Sequence, residues 1–131
     1  MSKVFLGGTC NDSTWRDDLI PKLKIDYFNP VVDDWNEEAQ QEEIKERKNS
    51  EYVLYVITPK MTGVYSIAEV VDDSNKRPEK TLFCVLNIDD KKEFTVGELK
   101  SLKAVAEMVE GNGGEVFNNL DEIAKFLNTH N

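Results

Sequence analysis

Histidine and cysteine are nearly absent from this chain: 131 residues contain one histidine, His130, and two cysteines, Cys10 and Cys84. With the histidine next to last, where chains fray, Ser-His-Asp and Cys-His catalysis find no support. A zinc site rich in His and Cys is equally unsupported. Basic residues are also short, 16 Lys+Arg against 25 Asp+Glu, for a net charge of −9. That balance argues against DNA, RNA backbone and anionic membranes as partners, since each takes most of its affinity from a basic face. No apolar run approaches the roughly 20 residues a membrane span needs. MSKVFLGG shows no signal-peptide pattern, so a cytoplasmic protein without a disulfide is expected. Neither GxGxxG nor GxxxxGK[ST] occurs, which removes the usual signatures of nicotinamide and NTP binding. No cofactor and no metal are expected, and the chemistry falls to carboxylates, hydroxyls and backbone groups.

What is present is ordinary for a soluble globular domain, with 40% hydrophobic and 31% charged residues. A chain of this size supports one sound core, so residues 1–131 read as a single domain. Apolar β-forming runs alternate with amphipathic stretches. Strands are expected at Lys3 to Leu6, Asp26 to Asn29, Tyr52 to Thr58, Thr81 to Leu86 and Glu115 to Phe117. Between and after them, helices are expected from Thr14 to Leu23, Trp35 to Lys48, Tyr65 or Ser66 to Asn75, Thr95 to about Gly111, and Leu120 to Leu127. The charged stretch from Ile88 to Glu93 reads as a surface loop.

Five strands alternating with five helices predict an α/β fold, a doubly wound, flavodoxin-like domain with a five-stranded parallel sheet in the order 2-1-3-4-5. Ligands bind beyond the C-terminal strand ends of such sheets, near the switch between strands 1 and 3. That rule selects Gly7 to Ser13, Asn29 to Trp35 and Thr58 to Glu69.

Each of these segments has a structural reading beside a functional one. Gly7-Gly8-Thr9 lets a ligand approach the backbone closely, and is also simply a tight strand-to-helix turn. Ser66-Ile67-Ala68-Glu69 presents a hydroxyl and a carboxylate at a helix start, where both an anion site and a capping box fit. The run from Glu37 to Ile44 reads first as a solvated face whose inward residues would be Trp35, Ala39 and Ile44. One or two of its carboxylates could point into the cleft. Asp33-Asp34-Trp35 reads as a loop and helix cap with Trp35 half-buried, and Asp72-Asp73 as a solvated helix end.

Five segments together carry a further signal: KVFLGGT, WRDDLIPKL, YFNPVVDDW, YVLYVITP and GVYSIAEV. In this order and spacing, from Lys3 to Leu86, the chain resembles nucleoside 2-deoxyribosyltransferase-like proteins. The resemblance implies a flavodoxin-like domain that cleaves the N-glycosidic bond of (deoxy)nucleosides or their 5′-monophosphates. It passes the sugar to another base or to water through a glutamate nucleophile. By the family pattern Glu69 is the nucleophile and Glu43 the second acidic group, with Glu42 a rival by register. Gly8, Thr9, Asn29, Pro30, Gly63 and Ser66 then fall at substrate-binding positions. The implied partner is a small-molecule nucleoside or nucleotide, and a homodimer is a family expectation. Phe5 stands where transferases often carry a tyrosine that positions the nucleophile, and Gly63 where an aspartate binds sugar. These departures keep a second reading open, a non-catalytic nucleotide-binding or sensor module on the same fold.

Overall fold

Strict alternation along the central strands builds this fold. A computed structural model describes residues 2–10, 12–32 and 35–129. The strands β1 (Lys3–Gly8), β2 (Asp26–Phe28), β3 (Tyr52–Ile57) and β4 (Thr81–Val85), with a later strand Glu115–Phe117, pair in parallel. The helices are α1 (Trp15–Leu19), α2 (Glu37–Asn49), α3 (Tyr65–Lys76), α4 (Val96–Gly111) and α5 (Leu120–Thr129). A two-stranded hairpin of β5 (Ile88–Asp89) and β6 (Lys92–Glu93) precedes α4, which makes the last strand β7. The sheet order is β2-β1-β3-β4-β7, the expected doubly wound order with β7 as its fifth member.

Successive side chains of a strand point to opposite faces. Val4, Leu6, Leu54 and Val56 therefore pack with Trp15 and Leu19 of α1 and Ile123 and Leu127 of α5. Phe5, Val53, Tyr55 and Ile57 face the other way, onto Val70 of α3 and Leu102 and Val109 of α4. β3 is buried on both faces from Val53 to Ile57, as a central strand of a covered parallel sheet must be.

Several local expectations are corrected. Pro21 sits in the first turn of a 3-10 segment, Ile20–Lys22, so α1 stops at Leu19 rather than running to Leu23. Helix α2 buries no residue fully. Ile44 and Trp35 are both exposed, and the half-buried stripe is Ala39, Glu43, Glu46 and Arg47. Its inward face is thus charged, which an apolar-periodicity rule cannot detect. Asn36 caps the helix by accepting from the Ala39 N–H at 2.8 Å.

The segment from Ile88 to Glu93 is a hairpin rather than a plain loop. Asp90 and Lys91 adopt φ of 49° and 72° at its tip, a two-residue turn with both central residues left-handed. The hairpin is tied down because Lys60 donates to Asp90 at 2.5 Å and to the Asp12 carbonyl at 2.9 Å, while the Ser13 hydroxyl donates to Asp89 at 2.6 Å. Thr95 and Glu98 form the capping box of α4. The expectations for Asp33, Asp34 and His130 lie outside the described residues. No disulfide joins exposed Cys10 to buried Cys84, and no helix among the described residues is long and apolar enough to cross a membrane.

Candidate functional site

The C-terminal ends of β1 and β3 open onto a cleft of about 530 Å³. Its floor is the turn after β1. Gly8 has a φ of +113°, and a Cβ there would come within 2.1 Å of the Val56 carbonyl oxygen. Glycine at this position is thus required by backbone contact between two strands before any ligand is considered. Thr9 closes the same junction: its N–H donates to the Val56 carbonyl at 2.9 Å, and its hydroxyl oxygen accepts from the Thr58 N–H at 3.0 Å.

Arg16 is 5% exposed and donates to the carbonyls of Leu6 at 3.0 Å and Thr9 at 2.7 Å. Its guanidinium lies 4.4 Å from the Trp15 ring centroid. Burial lowers its pKa to about 10, with only partial relief from the negative charges of Cys10, Glu43 and Asp17. A largely buried cation bonded to carbonyl dipoles therefore forms part of the cleft wall.

Gly8, Thr9, Pro30, Gly63, Ser66, Glu43 and Glu69 all line the cleft. Asn29 does not; its side chain accepts from the Val31 N–H at 3.1 Å and shapes the loop that presents Pro30. Of the two rivals on α2, Glu43 lines the cleft and Glu42 is exposed outside it. The capping box expected at Ser66 and Glu69 is absent. The N-cap of α3 is Val64, without a side-chain cap, which places Ser66 inside the first turn and Glu69 on the inward face. Gly63 borders open space, and a Cβ there would meet nothing within 4 Å.

Glu69 is 8% exposed. Burial pushes its carboxyl up to about 7; Arg47 opposes the shift, while the negative charges of Glu43 and Asp73 reinforce it. The Arg47 guanidinium lies 3.6 Å from Glu69 Oε2, and among the described residues it is the one cation within ion-pair range of that carboxylate.

Behind this pair stands a network that sequence reasoning missed. Asp73, expected at a solvated helix end, is fully buried. Its Oδ2 accepts from the Tyr55 hydroxyl at 2.6 Å and Arg47 Nε at 3.1 Å, and its Oδ1 from Arg47 Nη2 at 3.1 Å and Arg77 Nε at 2.9 Å. The correction has a simple geometric cause. Asp73 lies one turn after Glu69, so the two share a helix face, whereas Asp72 lies half-exposed at its edge and accepts from Arg47 Nη2 at 3.3 Å. The signals available were the i, i+4 spacing of Glu69, Asp73 and Arg77 and a polar-tipped side chain, Tyr55, in the middle of the buried central strand.

Two aromatic side chains rim the cleft. Trp35 is 59% exposed, not half-buried as expected, and Tyr65 is 72% exposed. Both also border a small recess of about 60 Å³ that Glu43, Glu69 and Arg47 share. Flat apolar faces beside two carboxylates suit an aromatic ligand that carries a reactive polar bond. Among the described residues no group of three or more His, Cys, Asp or Glu side chains converges as metal ligands would.

Among family models, the one described as nucleoside 2-deoxyribosyltransferase like matches residues 1–87, about two-thirds of the chain. Every residue lining the cleft falls inside that stretch. No curated protein matches the chain.

Proposed function

The chain belongs to the nucleoside 2-deoxyribosyltransferase-like family, and from that premise we propose that it cleaves the N-glycosidic bond of (deoxy)nucleosides or their 5′-monophosphates. The observation that carries this reading is the convergence of Glu69 and Glu43, from two different helices, on one cleft rimmed by Trp35 and Tyr65.

In the reaction, an ionised Glu69 oxygen attacks C1′ as the C1′–N bond breaks. The bonding pair leaves with the base nitrogen, and Glu43 or a water supplies its proton. The product of this step is a glycosyl ester on Glu69 and a free base. Water or a second base then attacks C1′ and the ester bond breaks. This regenerates the Glu69 carboxylate, and the proton of the incoming nucleophile goes to Glu43 or solvent. The logic is that of retaining glycosidases, in which one carboxylate attacks and a second group moves protons.

Thr9 and Ser66 offer hydroxyls to the sugar, and Gly8 and Gly63 leave room for it. Arg16, in the cleft wall, supplies positive charge for a 5′-phosphate. Lys60, a further cation of this region, is engaged by Asp90 and the Asp12 carbonyl. Trp35 and Tyr65 offer stacking faces to the base.

The second reading, a binding module without turnover, is favoured by one observation: Phe5, 1% exposed, stacks on Phe28 with ring centroids 5.9 Å apart and brings no hydroxyl to the nucleophile. Chromatography of the free base released from paired deoxynucleosides and deoxynucleoside monophosphates, with and without a second base, tests the proposal. Base release requires the first reading; nucleotide binding without release over hours establishes the second.

A further inference from the structure

Arg47 lies in the most polar helix of the chain, among residues whose default reading is a solvated face, yet its guanidinium is the best-anchored group near Glu69. We propose that Arg47 is the positioning residue for Glu69: held by Asp73 and Tyr55, its guanidinium orients the Glu69 carboxylate and opposes the loss of its charge. This inference rests on the reading of Glu69 as the nucleophile.

The anchoring is geometric. Two nitrogens of Arg47 grip the two oxygens of Asp73, each at 3.1 Å, in the paired arrangement that fixes a guanidinium plane. Arg47 Nε also donates to the Tyr55 hydroxyl at 3.0 Å, and Arg77 holds Asp73 from the other side at 2.9 Å. The plane therefore cannot turn to follow Glu69; Glu69 must settle against it. The second contact ties Arg47 to the α3 backbone, since Nη2 donates to the Glu69 carbonyl at 3.4 Å.

The distances also set how strongly the charge is felt. At 3.6 Å from Glu69 and 3.1 Å from Asp73, Arg47 spends its tighter contacts on a carboxylate that takes no part in the reaction. The Arg47 charge offsets part of the burial cost of the Glu69 anion without the close fork that would tie up its attacking oxygen.

The arrangement accounts for the missing hydroxyl in β1. Tyr55, on the adjacent strand, places its ring 6.3 Å from that of Phe5 and its hydroxyl on Asp73 and Arg47. It acts on the nucleophile through the guanidinium rather than by touching it. The charged and titratable groups around Glu69 are Glu43 and Arg47 from α2, Asp73 from α3 and Tyr55 from β3, with Asp72 and Arg77 joined to Arg47 and Asp73. Burial and the charge of Asp73 push the Tyr55 hydroxyl far up, so it stays neutral. Arg47 is thus the only one of these groups that favours the Glu69 anion directly.

The test is a carboxyl NMR titration of the full chain, carbon-13-labelled at glutamate Cδ, with the Glu69 signal assigned by its loss in Glu69→Gln. Thermal unfolding of each variant shows that it is folded where it is titrated. The wild-type midpoint is expected near 7, and Arg47→Gln should raise it by about one pH unit, a tenfold change in proton affinity. Arg47→Lys, which keeps the charge and loses the fork, should fall between the two. An unmoved midpoint in folded Arg47→Gln overturns the proposal. Should that variant not fold, Arg47→Lys decides, a midpoint above wild type supporting the proposal and one at or below it overturning it. No substrate enters the titration. A shifted midpoint in a protein that cleaves nothing therefore supports the role of Arg47 and removes only the catalytic reading.

Discussion

The Arg47 guanidinium stands 3.6 Å from the Glu69 carboxylate, across a gap between α2 and α3, although 22 positions separate the two residues in the sequence. A buried carboxyl left alone in that position would be neutral at physiological pH, and one held in a tight fork would be a poor nucleophile. The observed pair lies between these limits, with Glu69 titrating near 7.

The pH dependence of cleavage follows directly. Glu69 must be ionised to attack, so kcat/KM should rise with pH through about 7 and fall away below it. Base release measured from pH 5 to 9 checks this, and a profile flat across 6 to 8 would remove Glu69 as the ionising group.

Stability should move the opposite way. The folded protein raises the Glu69 pKa above its ordinary value of 4.5 to about 7, so the fold favours the protonated form. The stabilising contribution is fully present below about pH 4.5 and is lost as pH rises through about 7. Glu69→Gln, a neutral isostere, should therefore stabilise the protein at pH 8 by roughly 1–2 kcal/mol and change little at pH 5. Thermal unfolding of both proteins at the two pH values makes the comparison.

Asp73 holds a different kind of energy. It is completely buried and accepts from Tyr55, Arg47 and Arg77. Asp73→Asn keeps the shape but strands two guanidinium groups, at a cost of about 3 kcal/mol or more. Denaturant titration should show it, and a loss below about 1 kcal/mol would mean the network contributes little to the fold.

Two glycines of the cleft should respond oppositely. Gly8→Ala places a methyl 2.1 Å from the Val56 carbonyl oxygen in a backbone conformation that disfavours any side chain, and should cost about 3 kcal/mol or prevent folding. Gly63→Asp meets open space and should stay within about 0.5 kcal/mol of wild type. It should also lower KM for a nucleoside by supplying the sugar contact that the family pattern places there.

How much of this was legible in the sequence depended on whether a residue's role is written in its neighbours. The sheet was readable because the β3 run from Val53 to Ile57 is apolar on both faces, and because Thr95 sits where a helix begins. The convergence of Glu43 and Glu69 was approachable through motif order. The support behind them was not. Arg47 and Asp73 sit in runs of like-looking charged residues, and only the burial of one face of α3 against the sheet, where Tyr55 meets Asp73, distinguishes Asp73 from Asp72. The hairpin from Ile88 to Glu93 was hidden for a related reason: its tip is Asp90-Lys91 rather than the Asn-Gly or Asp-Gly that marks such turns.

The most direct test of the central claim is base release from deoxynucleosides and their monophosphates by wild type and Glu69→Ala at pH 8, both verified as folded. Glu69 as nucleophile predicts release by wild type and a loss on the order of a thousandfold or more in the variant. A Glu69→Ala protein that cleaves every substrate as fast as wild type would contradict it.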